Sequence, residues 1–279
     1  MTLKNFIAVS LVIAMTSIIS CDDGVNIFSQ EDDVQLGQEV VNEINGNPQE
    51  YPIYHGNPFV KSYIETRIFE HILASPQIEN KNIYPYQIEI IDDPNTLNAF
   101  ALPGGFLYIY TGLLNYLDSE AALAGVLGHE IAHAERRHAT QRMTAYYGVS
   151  FLLSLILGEN PSQIAEIAAN LFVGLAFLAN SRSDEDEADE FSFNYLKDTR
   201  YYPGGVKFFF EKMRDEGLVS SEADEIATFL STHPDPIERI ANTDQRLNDA
   251  GINIVDYTSN IDGIFREEYI ANIKNQLSK

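Results

Sequence analysis

Two histidines spaced four residues apart offer the clearest chemistry in this 279-residue sequence. In the stretch LGHEIAHAERRH, residues 127–138, Glu130 directly follows His129, and His133 completes the spacing. Residues four apart on a helix lie on the same face, one turn apart, so both imidazoles could bind one zinc ion. Zinc activates water, and Glu130 would accept the proton. The H-E-x-x-H spacing therefore predicts a hydrolytic zinc site. The alternative is two unrelated histidines on a solvent-exposed helix.

A zinc site of this kind needs a third protein ligand, and the next histidine, His138, is a poor candidate. On a continuous helix it would lie about 180° around the axis from His129. The metzincin pattern would require glycine at position 136 and histidine at position 139, where this chain has Arg136 and Ala139. We therefore predict a structural role for His138.

A better candidate lies in the acidic stretch SRSDEDEADEF, residues 181–191, where Glu185 and Asp189 are four positions apart on a predicted helix. The glutamate could complete a set of two histidines and one glutamate, and the aspartate could accept the N–H of a ligand imidazole. Taken alone, such a run of acids favours a solvated helix end. Together with the H-E-x-x-H motif, it favours a metal ligand and its partner.

The spacing of apolar residues indicates a mostly helical chain with a few strands. Residues 86–92 alternate apolar and polar side chains, and residues 98–114 are typical of a strand, a Pro-Gly-Gly turn and a second strand or helix start. Helices are predicted at 31–44, 57–75, 118–142, 183–198, 203–216, 222–231, 235–249 and 264–277. We therefore expect an α+β fold that is predominantly α.

Residues 145–180 are almost entirely apolar, with Glu159 and Glu166 as their only charged side chains. Each apolar half is shorter than the ~20 residues that a membrane span requires. The pattern favours two buried core helices joined by ENPS, and membrane contact is the alternative.

The N-terminus is typical of a bacterial lipoprotein. Residues 1–20 contain Lys4 and then an uncharged apolar run, as in a signal peptide, and IISC at 18–21 resembles a lipobox. That resemblance implies cleavage before Cys21, the only cysteine, and attachment of lipid to its thiol. An ordinary secreted protein is the alternative. Residues 21–30 would form the lipidated N-terminus and a linker, and residues 31–279 a single domain.

Four motifs, in order, resemble the zinc metallopeptidase family of HtpX and the CAAX prenyl endopeptidases, and within it the periplasmic lipoprotein-type branch. They are NAFALPGGFLYIYTGLL, GHEIAHAERRH, NSRSDEDEAD and STHPDPIERI, and the resemblance covers about residues 60–245. It implies a zincin-type metallopeptidase domain with a small β-sheet whose edge strand flanks the active-site helix. It also implies one Zn²⁺ held by His129, His133 and Glu185, with Glu130 as catalytic base and Asp189 orienting a ligand histidine.

The resemblance also suggests roles for the edge strand and for the last motif. Asn98 and Ala99 would present backbone groups to an extended substrate, the alternative being a plain core strand. His233 would act near the metal by stabilising the oxyanion, or would occupy the open metal position and hold the enzyme latent. A helix-capping or loop role without metal contact is a third alternative for His233. Arg239 could pair with an acid near the site or with a surface carboxylate.

These features predict a zinc-dependent endopeptidase of the bacterial cell envelope that cleaves unfolded or misassembled proteins. The lipid on Cys21 would hold it on the periplasmic or surface side of the inner or outer membrane. The net charge of −23 and the lack of a Lys/Arg cluster argue against a nucleic-acid partner. The main alternative is a chaperone-like peptide-binding module with little proteolytic activity. A structural zinc site is less favoured, because such sites are usually rich in cysteine.

Overall fold

The computed structural model describes residues 25–148, 180–220 and 229–277. The predicted signal peptide, Cys21 and most of the apolar 145–180 segment lie outside these residues, and so does most of the helix predicted at 222–231. Among the helices in the described ranges, none combines the length and apolar content that a membrane crossing requires.

Helices dominate the described chain, and this confirms the prediction of an α+β fold that is predominantly α. Apart from the end of α4, the longer helices begin and end within a few residues of the predicted positions. They are α1 Gln30–Gly46, α2 Pro58–Tyr63 with a π-helical continuation Ile64–Phe69 and a last turn Glu70–Leu73, α3 Thr111–Tyr116, α4 Glu120–Glu135, α5 His138–Tyr147, α6 Arg182–Lys197, α7 Gly205–Asp215, α8 Pro236–Asp249, and α9 Arg266–Tyr269 with a π-helical continuation Ile270–Lys274 and a last turn Asn275–Leu277. Residues 229–232 are also helical.

Within the described ranges, the sheet has three strands in the order β1-β3-β2, and β2 is an edge strand that packs against α4. β1 is parallel to β3, whereas β2 is antiparallel to it. The turn between β2 and β3 requires glycine, because Gly104 has a φ of 77° and a Cβ there would lie 2.7 Å from the Cα of Val34. The strands are β1 Gln87–Ile91, β2 Ala99–Leu102 and β3 Phe106–Tyr110.

Helix α4 carries the H-E-x-x-H motif, and its start is set by local capping. The Ser119 side chain accepts a hydrogen bond from the Ala122 N–H, and Glu120 lies in the first turn. Every residue of α4 is buried, so the helix runs through the core rather than over its surface. The solvent-exposed alternative for the two histidines is therefore wrong.

The prediction that this helix continues to about residue 142 is also wrong, because Arg137 interrupts the helix. Arg137 has a φ of 61°, in the left-handed region, and α5 begins at His138. The guanidinium holds this conformation through distant partners: it lies 2.5 Å from the Asp33 carboxylate and donates to the Phe28 carbonyl. These contacts hold α1 and the residues just before it against the end of α4.

Small residues let α4 approach its neighbours closely. A Cβ on Gly125 would lie 2.1 Å from the backbone nitrogen of Val206, at the start of α7, and a Cβ on Gly205 would lie 2.0 Å from the Ala121 carbonyl oxygen. The Ser192 hydroxyl of α6 donates to the Gly125 carbonyl at 2.8 Å. Helix α4 is thus fixed against α7 by close backbone contact and against α6 by the Ser192 hydrogen bond.

Replacing Gly125 by Ala is expected to lower the free energy of unfolding by about 1–3 kcal/mol, because the added methyl group meets backbone that cannot move aside. Gly46→Ala is the matched control, since no atom lies within 4 Å of a Cβ at Gly46. Alanine favours a helix, so the control should be neutral or slightly stabilising. Urea denaturation of both variants measures the difference, and equal values would contradict the close crossing of α4 and α7.

Candidate active site

The two histidines of the motif point their Nε2 atoms toward each other, as the i to i+4 spacing predicts. His129 Nε2 lies 2.9 Å from His133 Nε2, and both residues are buried. His129 Nδ1 lies 2.8 Å from the Asp189 carboxylate. Because this carboxylate accepts the Nδ1–H, the lone pair of His129 is at Nε2, directed into the site.

Helix α6 brings Glu185 to the same point. Its N-terminus is fixed by a capping box between Ser181 and Asp184, which places Glu185 in the first turn. Glu185 Oε1 lies 3.3 Å from His133 Nε2, and Glu185 Oε2 lies 3.4 Å from His129 Nε2. The downstream acidic stretch therefore meets the H-E-x-x-H motif, and α6 is not a solvated helix end at this position.

His233 completes a buried group of four side chains. Its Nδ1 lies 3.0 and 3.1 Å from the two Glu185 oxygens and 3.4 Å from His129 Nε2. The ring stacks on Phe229, with the ring centroids 4.7 Å apart. His233 therefore lies among the other candidate ligands.

The four donor groups fit a metal ion. One ligand atom from each of His129, His133, Glu185 and His233 can be chosen so that all lie within 4.8 Å of one another. Tetrahedral ligands about 2.0–2.1 Å from a zinc ion lie about 3.3–3.4 Å from each other, and the separations of Glu185 from the two α4 histidines are 3.3 and 3.4 Å.

Glu130 lies beside this group with an unused carboxylate oxygen. Its Oε1 is buried without a hydrogen-bond partner in the described part of the chain, and it lies 3.8 Å from His233 Nε2. Burial raises the pKa of Glu130, although the positive charge of protonated His233 or His129 would oppose that shift. A buried carboxylate with a free oxygen and a raised pKa is suited to accept a proton.

Arg239 of α8 binds Glu185 and Asp189, the two acids next to the histidines. Of its two predicted partners, the acid near the site is therefore correct and the surface carboxylate is wrong. Its Nε and Nη2 donate to the two Asp189 oxygens at 2.7 and 2.6 Å, and Nη1 donates to Glu185 at 2.7 Å. Burial would raise the pKa of Asp189, but the Arg239 charge and its hydrogen bonds lower it. Both acids therefore stay ionised in the core.

Asn180 is a site residue that sequence reasoning missed. Its Nδ2 donates to Glu185 Oε1 at 2.7 Å, and its backbone N–H donates to the Thr232 carbonyl, next to His233. Asn180 thereby joins the two segments that supply the third and fourth donors. Its position directly before the Ser181 cap was the only sequence signal, and that signal does not specify a side-chain partner.

His138 lies next to the site, and not on the opposite side of the helix as the angular argument placed it. Its Nδ1 lies 2.7 Å from His133 Nδ1. The angular argument against contact assumed a continuous helix, and the break at Arg137 removes that assumption. His138 contacts the outer nitrogen of His133, so it is not itself a donor to the central group.

A cavity of about 260 Å³ opens beside Glu130, His133 and His233 and extends along β2. The Asn98 carbonyl accepts the Tyr110 N–H at 3.1 Å. Since hydrogen-bonded pairs alternate along an antiparallel ladder, the backbone groups of Ala99 and Ala101 point away from β3. The Asn98 side chain accepts the Ala99 N–H at 2.9 Å. The apolar part of the cavity wall includes Val40, Ile44, Phe100, Leu102 and Tyr110.

Comparison with known proteins agrees with this geometry. Residues 61–247 match the family described as Peptidase family M48. The chain is 28% identical over 203 residues to "Mitochondrial metalloendopeptidase OMA1" of Schizosaccharomyces pombe, covering 72% of this chain and 56% of that protein. It is 28% identical over 225 residues to "Beta-barrel assembly-enhancing protease" of Escherichia coli, covering 77% and 44%. A Vibrio cholerae protein, "Putative beta-barrel assembly-enhancing protease", is 31% identical over 201 residues, covering 68% and 40%.

The chain spans about half the length of these relatives. The matched region nevertheless contains the whole buried group and both carboxylates that Arg239 binds. The chain therefore belongs to Peptidase family M48, a family of metallopeptidases.

Proposed function

We propose that this chain is a zinc-dependent endopeptidase of the bacterial cell envelope that hydrolyses peptide bonds in unfolded or misassembled proteins. The observation that carries the proposal is the convergence of His129, His133 and Glu185 in a buried group beside Glu130. A binding protein has no need of a buried carboxylate with a free oxygen at that position, whereas hydrolysis needs a base there.

His129, His133 and Glu185 would hold the zinc ion, and Asp189 would orient His129. The ion, when bound, supplies Lewis-acid activation of the attacking water and of the substrate carbonyl. Glu130 accepts the proton of that water and then delivers it to the leaving amine. His233 Nε2 lies 3.8 Å from Glu130 Oε1, and a proton on Nε2 would let the ring donate a hydrogen bond to an oxyanion.

The proposed substrate is an extended peptide segment. An extended chain adds to a sheet edge through backbone hydrogen bonds, which give affinity without demanding a sequence. Asn98 and Ala99 are the predicted contact residues, but the Asn98 carbonyl already accepts the Tyr110 N–H, so the backbone groups that point away from β3 are those of Ala99 and Ala101. Folded proteins seldom offer a free extended segment, so unfolded or misassembled proteins fit the groove best.

The proposed location depends on the N-terminal sequence. Residues 1–20 as signal peptide and a lipid on Cys21 would tether a single domain, residues 31–279, to the inner or outer membrane on its periplasmic or surface side. The names of two relatives support a link to β-barrel assembly, while a third relative is named as mitochondrial. With its acidic charge, the chain is proposed to bind polypeptides and not nucleic acid.

His233 supports a second candidate function. The group has four candidate donors, so His233 could be the fourth metal ligand, at the coordination position that water occupies in a catalytic site. The protein would then be a latent enzyme or a chaperone-like module that holds peptides in the same groove and seldom cuts them. A closed structural site would also have four protein ligands.

Removal of the metal tests the proposed function. We expect the purified protein to cleave an unfolded substrate such as casein, to lose this activity in a strong chelator, and to regain it with about one equivalent of zinc per chain. Cleavage that persists without metal would refute the zinc mechanism. Binding of casein without cleavage, in the zinc-loaded protein, would favour the chaperone-like alternative and make His233 the next residue to replace.

A further inference from the structure

A chain of hydrogen bonds leads outward from His133 through a second histidine to a carboxylate. His133 Nδ1 lies 2.7 Å from His138 Nδ1, and His138 Nε2 lies 2.8 Å from Glu187 Oε2. His138 is 3% exposed, whereas the Glu187 side chain is 32% exposed. Glu187 also accepts a hydrogen bond from Arg136 Nε at 2.8 Å. This chain of hydrogen bonds thus runs from the buried site to a partly exposed ion pair.

The direction of the protons along this chain follows from its outer end. A carboxylate can only accept, so the proton of neutral His138 lies on Nε2, next to Glu187. The His138 Nδ1 atom then carries a lone pair and accepts a hydrogen bond from His133 Nδ1–H. The remaining nitrogen of His133, Nε2, is left with its lone pair pointing at His129 Nε2, 2.9 Å away.

The opposite tautomer of His133 would disable the site. A proton on His133 Nε2 would point into the space between the donors and could not share a lone pair with a metal ion. Each α4 histidine therefore has its own acceptor behind it. His129 has Asp189 directly, and Arg239 holds that acid, whereas His133 reaches Glu187 only through His138.

We propose that His138 is a positioning residue for His133, and that Glu187 fixes the tautomer that His138 needs for this task. The inference rests on the proposed function, because it takes His133 to be a metal ligand. It gives a role to the left-handed Arg137, which ends α4 and starts α5 at the residue that must contact His133. Neither His138 nor Glu187 touches the reacting atoms.

Two variants of His138 separate the acceptor atom from the ring. His138→Asn keeps an acceptor oxygen near the position of Nδ1, whereas His138→Leu fills similar space without an acceptor. We expect His138→Leu to weaken zinc affinity about 10- to 100-fold, the usual effect of removing the partner of a ligand histidine. His138→Asn should stay within about threefold of the wild type. Titration of the full-length protein with zinc against a competing chelator measures both.

Glu187 provides a second pair of variants. Its side chain reaches solvent, so replacing it disturbs folding less than replacing the buried His138. Glu187→Gln keeps an acceptor for His138 Nε2–H and should bind zinc nearly as well as the wild type. Glu187→Leu removes the acceptor and should weaken zinc binding in the same direction as His138→Leu. His71→Leu, at an exposed histidine outside the site, is the control for loss of a histidine.

The outcomes distinguish this inference from the proposed function. If the wild type binds no zinc, the proposed function fails and the inference fails with it. If the wild type binds zinc and both leucine variants bind it equally well, only the inference is overturned. Equal losses in His138→Asn and His138→Leu would also overturn it, because the shape of the ring and not its acceptor atom would then matter.

Discussion

Glu130→Gln is expected to lower the rate of peptide hydrolysis by about 10²- to 10⁴-fold, the usual contribution of a general base, without loss of zinc. The Glu130 carboxylate is buried, its Oε1 has no hydrogen-bond partner in the described chain, and it is not one of the four converging donors. Glutamine keeps the volume of the side chain and removes only its ability to take a proton. Casein cleavage and zinc content per chain, measured on the same preparation, test both parts.

The same substitution should not destabilise the metal-free protein. Burial raises the pKa of Glu130, so the folded state binds its proton more tightly than the unfolded state. The ionised carboxylate therefore opposes folding at pH values above its unfolded pKa, and a neutral glutamine relieves this cost. We therefore expect Glu130→Gln to be inactive but more stable than the wild type, because a neutral side chain at this buried position opposes folding less than a carboxylate does.

Glu190→Gln is the matched control, since Glu190 is an exposed residue of α6 close in sequence to the site. It removes one carboxylate from an acidic protein and should leave hydrolysis unchanged. Equal activity of Glu130→Gln and the wild type would refute Glu130 as the base. Loss of zinc together with activity would instead place Glu130 among the groups that hold the metal.

The parts of the site that could be predicted from sequence are those that depend on helix periodicity. His129 and His133 share a face because they are one turn apart, and so do Glu185 and Asp189 on α6. Most helix boundaries followed from caps and apolar spacing in the same way, but the end of α4 did not. The meeting of α4 with α6 was inferred only from the resemblance of motifs, because periodicity within a helix does not specify its neighbour.

The parts that could not be predicted depend on contacts between distant segments. Arg137 adopts a left-handed conformation that few residues other than glycine favour, and it does so while bound to Asp33, 104 positions earlier. No local signal marks that break, so the position of His138 was misjudged. Asn180 likewise acquires its role from Glu185 and from the Thr232 carbonyl, which only the folded chain brings together.

Arg239→Leu is expected to lower the free energy of unfolding of the metal-free protein by about 3–5 kcal/mol, the cost of leaving a buried charge without its partner. Arg239 is 3% exposed and binds both Asp189 oxygens and one Glu185 oxygen. Its guanidinium also lies over the Phe210 ring, 4.3 Å from the centroid. Leucine would remove the guanidinium that pairs with both buried carboxylates. Urea denaturation measures the change.

The control is Arg214→Leu, which removes an arginine that pairs with Asp215 at the surface, where both side chains are nearly half exposed. An exposed pair contributes about 0–1 kcal/mol, so the two arginines should differ severalfold. Arg239→Lys should fall between them, because an ammonium cannot span both carboxylates as the planar guanidinium does.

Zinc should rescue the Arg239→Leu variant only in part. A bound ion would neutralise Glu185, which lies within the group of donors, but it would not neutralise Asp189, which lies behind His129. The variant should therefore gain more stability from zinc than the wild type does and still remain less stable. Complete rescue would mean that Asp189 finds another partner, and no rescue would mean that Glu185 leaves the site once Arg239 is gone.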